Sequence, residues 1–192
     1  RKRLGPERLE KMLVQTLETA KRGKLLTERH VERVNVDTTV QEKAVAFPTD
    51  ARLYHKARRA LVRAAKERNI ELRQNYERLG KVAFIKQGRY AHARQLKRAR
   101  QQTRKLRIFL GRVIRDINRK YHNPDESLSR LLTVSERIFI QTRNDTHKVY
   151  SIHAPEVECI AKGKAHKKYE FGCKVAMVTS SIKNWVLAID AL

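Results

Sequence analysis

Apolar residues along this chain keep two different rhythms, and the switches between them mark out its elements. Residues 7–22, ERLEKMLVQTLETAKR, place Leu9, Met12 or Leu13, Thr16 or Leu17 and Ala20 at helical spacing, with Gly23 suited to close the helix. Residues 30–41, HVERVNVDTTVQ, alternate instead. Val31, Arg33 or Val34, Val36 and Thr38 follow the period of two expected of a strand, and the β-branched content agrees. Pro48 punctuates the chain, and Thr49 or Asp50 stands ready to cap a helix starting near Ala51.

From 51 to about 121 the spacing is helical throughout, with breaks expected near Asn69 and Gly88. Its clearest stripe is Leu96, Ala99, Thr103, Leu106, Leu110, Val113 and Ile117, steps of three and four that make the seam of a coiled-coil-like helix. Leu53, Ala57, Ala60 or Leu61, and Ala64 supply a partner stripe, so a helical hairpin or small bundle is predicted. Asn123 and Pro124 end it. Residues 125–141 read as a further helix with Leu128, Leu131 or Leu132, Ser135, and Ile138 or Phe139 inward. After Asp145 the period returns to two, through KVYSIHA, EVECIA, YEFGCKVAMVT and NWVLAI. Helix, strand, helical block and strands together predict an α/β fold, one sheet with a helical block inserted in it.

Charge sharpens this picture. The 192 residues carry 44 Lys and Arg against 20 Asp and Glu, a net +24. Residues 51–120 hold 23 basic and 4 acidic side chains, a local +19, so nearly all the excess sits in the helical block. Between the seam positions lie Lys97, Arg98, Arg100, Arg104, Lys105, Arg107, Arg112, Arg115 and Arg119. Like charges at i and i+4 repel by a few tenths of a kcal/mol each, so a face of one sign favours a polyanionic partner. Nucleic acid leads the partner classes and an anionic membrane surface follows. Contact with phosphates is expected to be largely independent of base sequence, through Arg94, Lys97, Arg98, Arg100, Arg104, Lys105 and Arg107. Between residues 86 and 120 the aromatics are Tyr90 and Phe109, too few for a single-strand stacking platform. A second basic patch is expected at the turn holding Lys162, Lys164, Lys167 and Lys168.

Several chemistries are disfavoured. No apolar run approaches the roughly 20 residues of a membrane span, so a cytoplasmic protein without membrane association is expected. The two cysteines, Cys159 and Cys173, form no CxxC pair. His153, Cys159, His166 and Cys173 are separated by five or six residues throughout, unlike the paired ligands of structural zinc sites. No GxxxxGK[ST] phosphate loop occurs. Asp37 is the unusual residue. It interrupts what reads as a buried β-branched strand, and an ionised carboxylate is costly to bury unless paired. A divalent metal site would tolerate it there, as would a strand edge facing solvent.

VNVDTTVQEKAVAFPTDARLY, followed far downstream by VYSIHAPEVECIAKGKAHKKYEFGCKV, resembles the insertion-sequence transposases of the DDE class, whose catalytic domain is RNase-H-like. The resemblance covers most of the chain. It implies a partial RNase-H-like mixed sheet with a large basic all-helical insertion after the first catalytic strand. Residues 1–29 would be a helical remnant, 30–50 the first strand with Asp37, 51–145 the basic insertion, and 146–192 the returning strands. It further implies that Asp37 is catalytic and the first of three carboxylates binding Mg²⁺ or Mn²⁺, and that the partner is double-stranded DNA at transposon ends. Self-association as a homodimer is left open. The other two carboxylates of that class lie further toward the C-terminus than Leu192, and Asp190 is not assigned as one. The resemblance therefore implies a fragment, also lacking an N-terminal DNA-recognition part, that would not hold metal stably or act alone. The alternative is a non-catalytic basic nucleic-acid-binding protein.

Overall fold

A computed structural model describes residues 5–161 and 168–191, a mixed α/β arrangement with six helices and a small sheet among them. The chain divides into two compact units. One comprises Arg1–Lys43 with Ile160–Leu192, the other Ala44–Cys159.

In the first unit, α1 (Pro6–Arg22) ends where Gly23 N–H donates to Thr19 O, and Leu25 and Leu26 N–H both return to Ala20 O. Those bonds satisfy the carbonyls that a helix end leaves open and tuck Leu26 in beside Ala20, both buried. A single turn, α2 (Glu28–Val31), replaces the start of the expected strand, so β1 runs only over Val34–Glu42. The sheet is built on the long β3 (Tyr169–Ser180), with strand order β1, β3, β2 (Glu158–Ala161) and with β4 (Val186–Ala191) also on β3. β1 and β4 both run antiparallel to β3. Lys183 and Asn184 both take left-handed backbone, at φ 67° and 52°, in the turn between β3 and β4. Ser180, wholly buried, ties that turn by donating to Ile182 O at 2.6 Å and accepting Trp185 N–H at 2.9 Å.

Contrary to expectation, the first strand is not buried. Within its unit β1 has no covering layer: Val34 is 42% exposed, Val36 is 68% exposed, and Asp37 next along is exposed too. Alternation along β1 records two-sided pleating rather than burial of one face.

The second unit holds α3 (Asp50–Glu67), α4 (Glu77–His92), α5 (Leu96–Lys120) and α6 (Glu126–Ile140). Thr49 is the residue that caps α3, its Oγ1 accepting Arg52 N–H at 3.3 Å. Ala57, Leu61 and Ala65 of α3 meet Leu110, Val113 and Ile117 of α5 and Leu128 and Ile138 of α6, all with no exposed surface. The predicted seam is therefore the core stripe, except that Leu96 at the helix start is 58% exposed and Thr103 is half-buried. Gly111 lets α6 approach, since a Cβ there would sit 2.7 Å from the Phe139 ring. The expected break at Gly88 is absent. α4 passes through it, nothing lies within 4 Å of that position, and the helix instead ends at Ala93–Gln95. Nor does KVYSIHA form a strand. Residues 148–157 are irregular, because the Gln141 side chain takes both backbone groups of Val149: Nε2 donates to Val149 O at 3.1 Å and Oε1 accepts its N–H at 2.9 Å.

Candidate nucleic-acid interface

One stripe of α5 faces the core, and the 100° step per residue fixes what the opposite side carries. Positions 97, 101, 104, 108, 112, 115 and 119 run along the outer ridge, which reads Lys97, Gln101, Arg104, Ile108, Arg112, Arg115 and Arg119, all exposed. From Lys97 to Arg119 the ridge extends roughly 33 Å, about one turn of a DNA duplex. Ten of the residues of α5 are basic and one, Asp116, is acidic. Asp116 does not neutralise the ridge. It is buried, and its Oδ2 accepts Arg73 N–H at 2.7 Å.

The residues expected to meet phosphate are distributed unevenly. Lys97, Arg104 and Lys105 are exposed on α5, while Arg94 occupies the left-handed turn before it at φ 55°. Arg98 is held by Gln95, its Nη1 donating to Oε1 at 3.0 Å, and lies 5.9 Å over the Tyr90 ring. Arg107 serves the fold, with Nε donating to Phe139 O at 3.0 Å and its guanidinium 4.9 Å over the Phe139 ring. Arg100 and Arg104 line a cleft of about 360 Å³ with Thr49, Asp50 and Gln87, so a carboxylate shares their surroundings. Lys168 is exposed with its ammonium 5.6 Å over the Tyr169 ring. Lys162, Lys164 and Lys167 lie outside the described residues.

A further group was not singled out by the sequence. Arg73, in the loop between α3 and α4, joins Arg112, Arg115 and Arg119 around a cavity of about 260 Å³ that Gln74, Tyr76 and Asp116 complete. The i, i+3, i+7 spacing of the three helical arginines was visible in advance, whereas Arg73 reaches them through a loop that no periodicity describes.

Asp37 sits opposite Met177 across β1 and β3, and Met177 in turn sits opposite Ile189 of β4. Its Oδ1 accepts the N–H of Thr38 at 2.8 Å. Asp190 pairs with Ala176, one position along β3, so it projects from the other face of the sheet. Among the described residues no three His, Cys, Asp or Glu side chains come together to hold a metal ion. By themselves the described residues of this chain do not make up a two-metal centre. His153 is placed by Ser151, whose Oγ is 3.1 Å from Nδ1, rather than by any cysteine.

Fold and surface together define a mixed α/β protein with a strongly cationic helical unit. The chain is similar to a protein described as "Uncharacterized protein ORF8 in nfe locus" of Rhizobium meliloti, 56% identical over 95 residues, covering 50% of this chain and 46% of that protein. It thus spans about half the length of the curated relative it matches. No protein-family model and no solved structure matches it. Among the described residues no helix is long and apolar enough to cross a membrane.

Proposed function

We propose that this chain is part of a DDE-class DNA transposase whose helical unit binds duplex DNA along α5 and whose sheet contributes Asp37 to an RNase-H-like catalytic domain. The observation that carries the nucleic-acid reading is the outer ridge of α5, where five cations stand in line and the helix's single acid is buried beneath them. A ridge of one sign is costly in isolation and is stabilised when counterions or phosphates neutralise it. The catalytic reading is supported by the order of elements, with an acid on β1, a basic helical unit after it, and β3 returning to pair with β1. Strand cleavage and transfer with Mg²⁺ or Mn²⁺ belong to the whole protein under this reading, where further carboxylates would join Asp37.

Exposure of Asp37 favours a second reading, a nucleic-acid-binding protein without catalysis, because no burial cost demands a metal there. Both readings share a test. Binding to a mixed-sequence duplex should weaken steeply with salt, and K97Q/R104Q/K105Q should flatten the plot of log K against log salt by up to about 3 × 0.9. An unchanged slope would remove α5 from the interface. Deleting residues 86–120 outright is uninformative, since Leu106, Leu110, Val113 and Ile117 are core.

A further inference from the structure

The cavity between the α3–α4 loop and α5 is organised in a way that generic surface charge does not require. Three bonds staple the loop to the helix. Lys120 Nζ donates to Glu71 O, Arg73 N–H donates to Asp116 Oδ2 at 2.7 Å, and Arg112 Nη1 donates to Tyr76 Oη at 3.1 Å. Tyr76 is itself fixed, stacked on Phe109 with ring centroids 4.6 Å apart, and its backbone is left-handed at φ 54°, a conformation rare for a bulky residue. These staples bring Arg73 alongside Arg112, Arg115 and Arg119 at one cavity of about 260 Å³.

The acid in that wall does not offset the four arginines one for one, and one Nη of Arg115 reaches back to within 3.2 Å of where a Cβ on Gly111 would sit. Asp116 is 6% exposed, one of its oxygens is occupied by the Arg73 backbone, and Lys120 Nζ stands 3.8 Å from the same oxygen. Four arginines thus line one cavity beside a loop whose tyrosine keeps a disfavoured backbone conformation. Guanidinium groups offer paired N–H donors that match the oxygens of a phosphate two at a time, which an ammonium cannot do.

We propose that this cavity is a phosphate pocket that grips one phosphate group of a bound DNA strand through Arg73, Arg115 and Arg119, with Arg112 held in place by Tyr76. The proposal rests on the nucleic-acid reading above and adds a fixed point to it. Along the rest of the α5 ridge contact depends on charge, whereas at this point it depends on geometry. A strand offers the same chemistry either as an internal phosphodiester or as a terminal phosphate.

The test uses R115Q/R119Q and R115K/R119K in the full chain, both positions being exposed so that the fold is kept. With a duplex carrying 5′-phosphates, R115Q/R119Q should bind roughly tenfold more weakly. Its salt slope should fall by only about 0.9, because two arginines share one phosphate. The lysine pair keeps the charge and should stay close to the glutamine pair in affinity. Wild-type affinity in R115K/R119K on duplexes both with and without 5′-phosphates, or a slope change near 1.8 in R115Q/R119Q, would overturn the pocket while leaving DNA binding intact. Failure of the wild-type chain to bind any duplex would overturn the nucleic-acid reading itself, and the pocket with it. If the arginine-to-lysine loss appears only with 5′-phosphorylated ends, the pocket takes a terminal phosphate. A loss of equal size on both duplexes assigns it to the internal backbone.

Discussion

Arg68 and Asp125 form a bidentate pair that ties the end of α3 to the start of α6, with Nε 2.6 Å from Oδ1 and Nη2 2.8 Å from Oδ2. Arg68 Nη1 also reaches back to Ala64 O at 3.1 Å, so one guanidinium closes α3 and holds the next helix boundary in place. Asp125 stands at the N-cap of α6, where a negative charge suits the helix dipole. Hydrogen bonding from Arg68, with smaller contributions from its charge, holds the Asp125 carboxyl down at about 2.

That depression sets the direction of a pH effect. A carboxyl whose folded value lies below its unfolded one adds stability above the unfolded value, near 3.8, and the gain is lost as pH falls toward 2. D125N should therefore melt at a lower temperature than wild type at pH 7, and the gap should close between about pH 4 and pH 2. Thermal melts of both proteins across that range check it. A gap that persists unchanged at pH 2 would show that the carboxylate charge is not what matters.

His55 predicts a change in a different pH window. It is buried and stacked on Phe84, with centroids 4.7 Å apart and planes 4° from parallel, and its Nδ1 has no partner. Burial first, then the neighbouring Arg58 and Arg59, lowers its pKa to about 4, so the fold keeps it neutral while the unfolded chain protonates near 6.5. Stability is then complete above about pH 6.5, declines as pH falls toward 4, and levels off below. H55F keeps the stack and removes the titrating group. Its stability should be flat over that interval, where the wild type loses up to about 3 kcal/mol, measurable by urea unfolding.

How much of this was legible follows the physics of each segment. The α5 seam was readable because one stripe of that helix is buried and the rest is wet, so Leu106, Leu110, Val113 and Ile117 record the core directly. KVYSIHA recorded burial too, since Val149 and Ser151 are inside, but the Gln141 amide took the hydrogen bonds that a neighbouring strand would have made. Period two reports which side is inward, not who the backbone partner is. Gly88 failed as a break because it lies in open space on a helix that tolerates it. At the candidate interface the charge was legible and its organisation was not. Nothing along the sequence says that Arg98 and Arg107 are engaged within the fold, or that Asp116 carries Arg73 to the other arginines.

Gly172 gives a packing prediction in the sheet. It pairs with Glu42 where β1 ends, and a Cβ there would meet Gln41 O at 2.1 Å and Gln41 C at 2.8 Å. Those are backbone atoms, which cannot turn aside as a side chain would. G172A should force β1 off β3 at that end and destabilise the first unit by more than about 2 kcal/mol. Hydrogen exchange should show the amides of β1 losing protection while those of α5 keep theirs. Uniform loss in both would mean that the two units unfold together.

The two aspartates of the sheet, Asp37 and Asp190, carry opposite predictions. Asp37 stands opposite Met177 and Asp190 opposite Ala176, adjacent positions on β3, so the pleat sends them to opposite faces. A metal ion shared by both would need its ligands on one side of the sheet, and short carboxylates cannot reach around a strand. If the catalytic reading is correct, D37N in the whole protein should abolish metal-dependent DNA strand cleavage, while D190N leaves it within a fewfold of wild type. Neither substitution should change duplex affinity by more than about twofold, because neither residue lies on α5. Cleavage that survives D37N would leave the chain as a DNA-binding protein whose first strand happens to carry an acid in water. Loss in D190N equal to that in D37N would instead require the sheet register to differ from the one seen here.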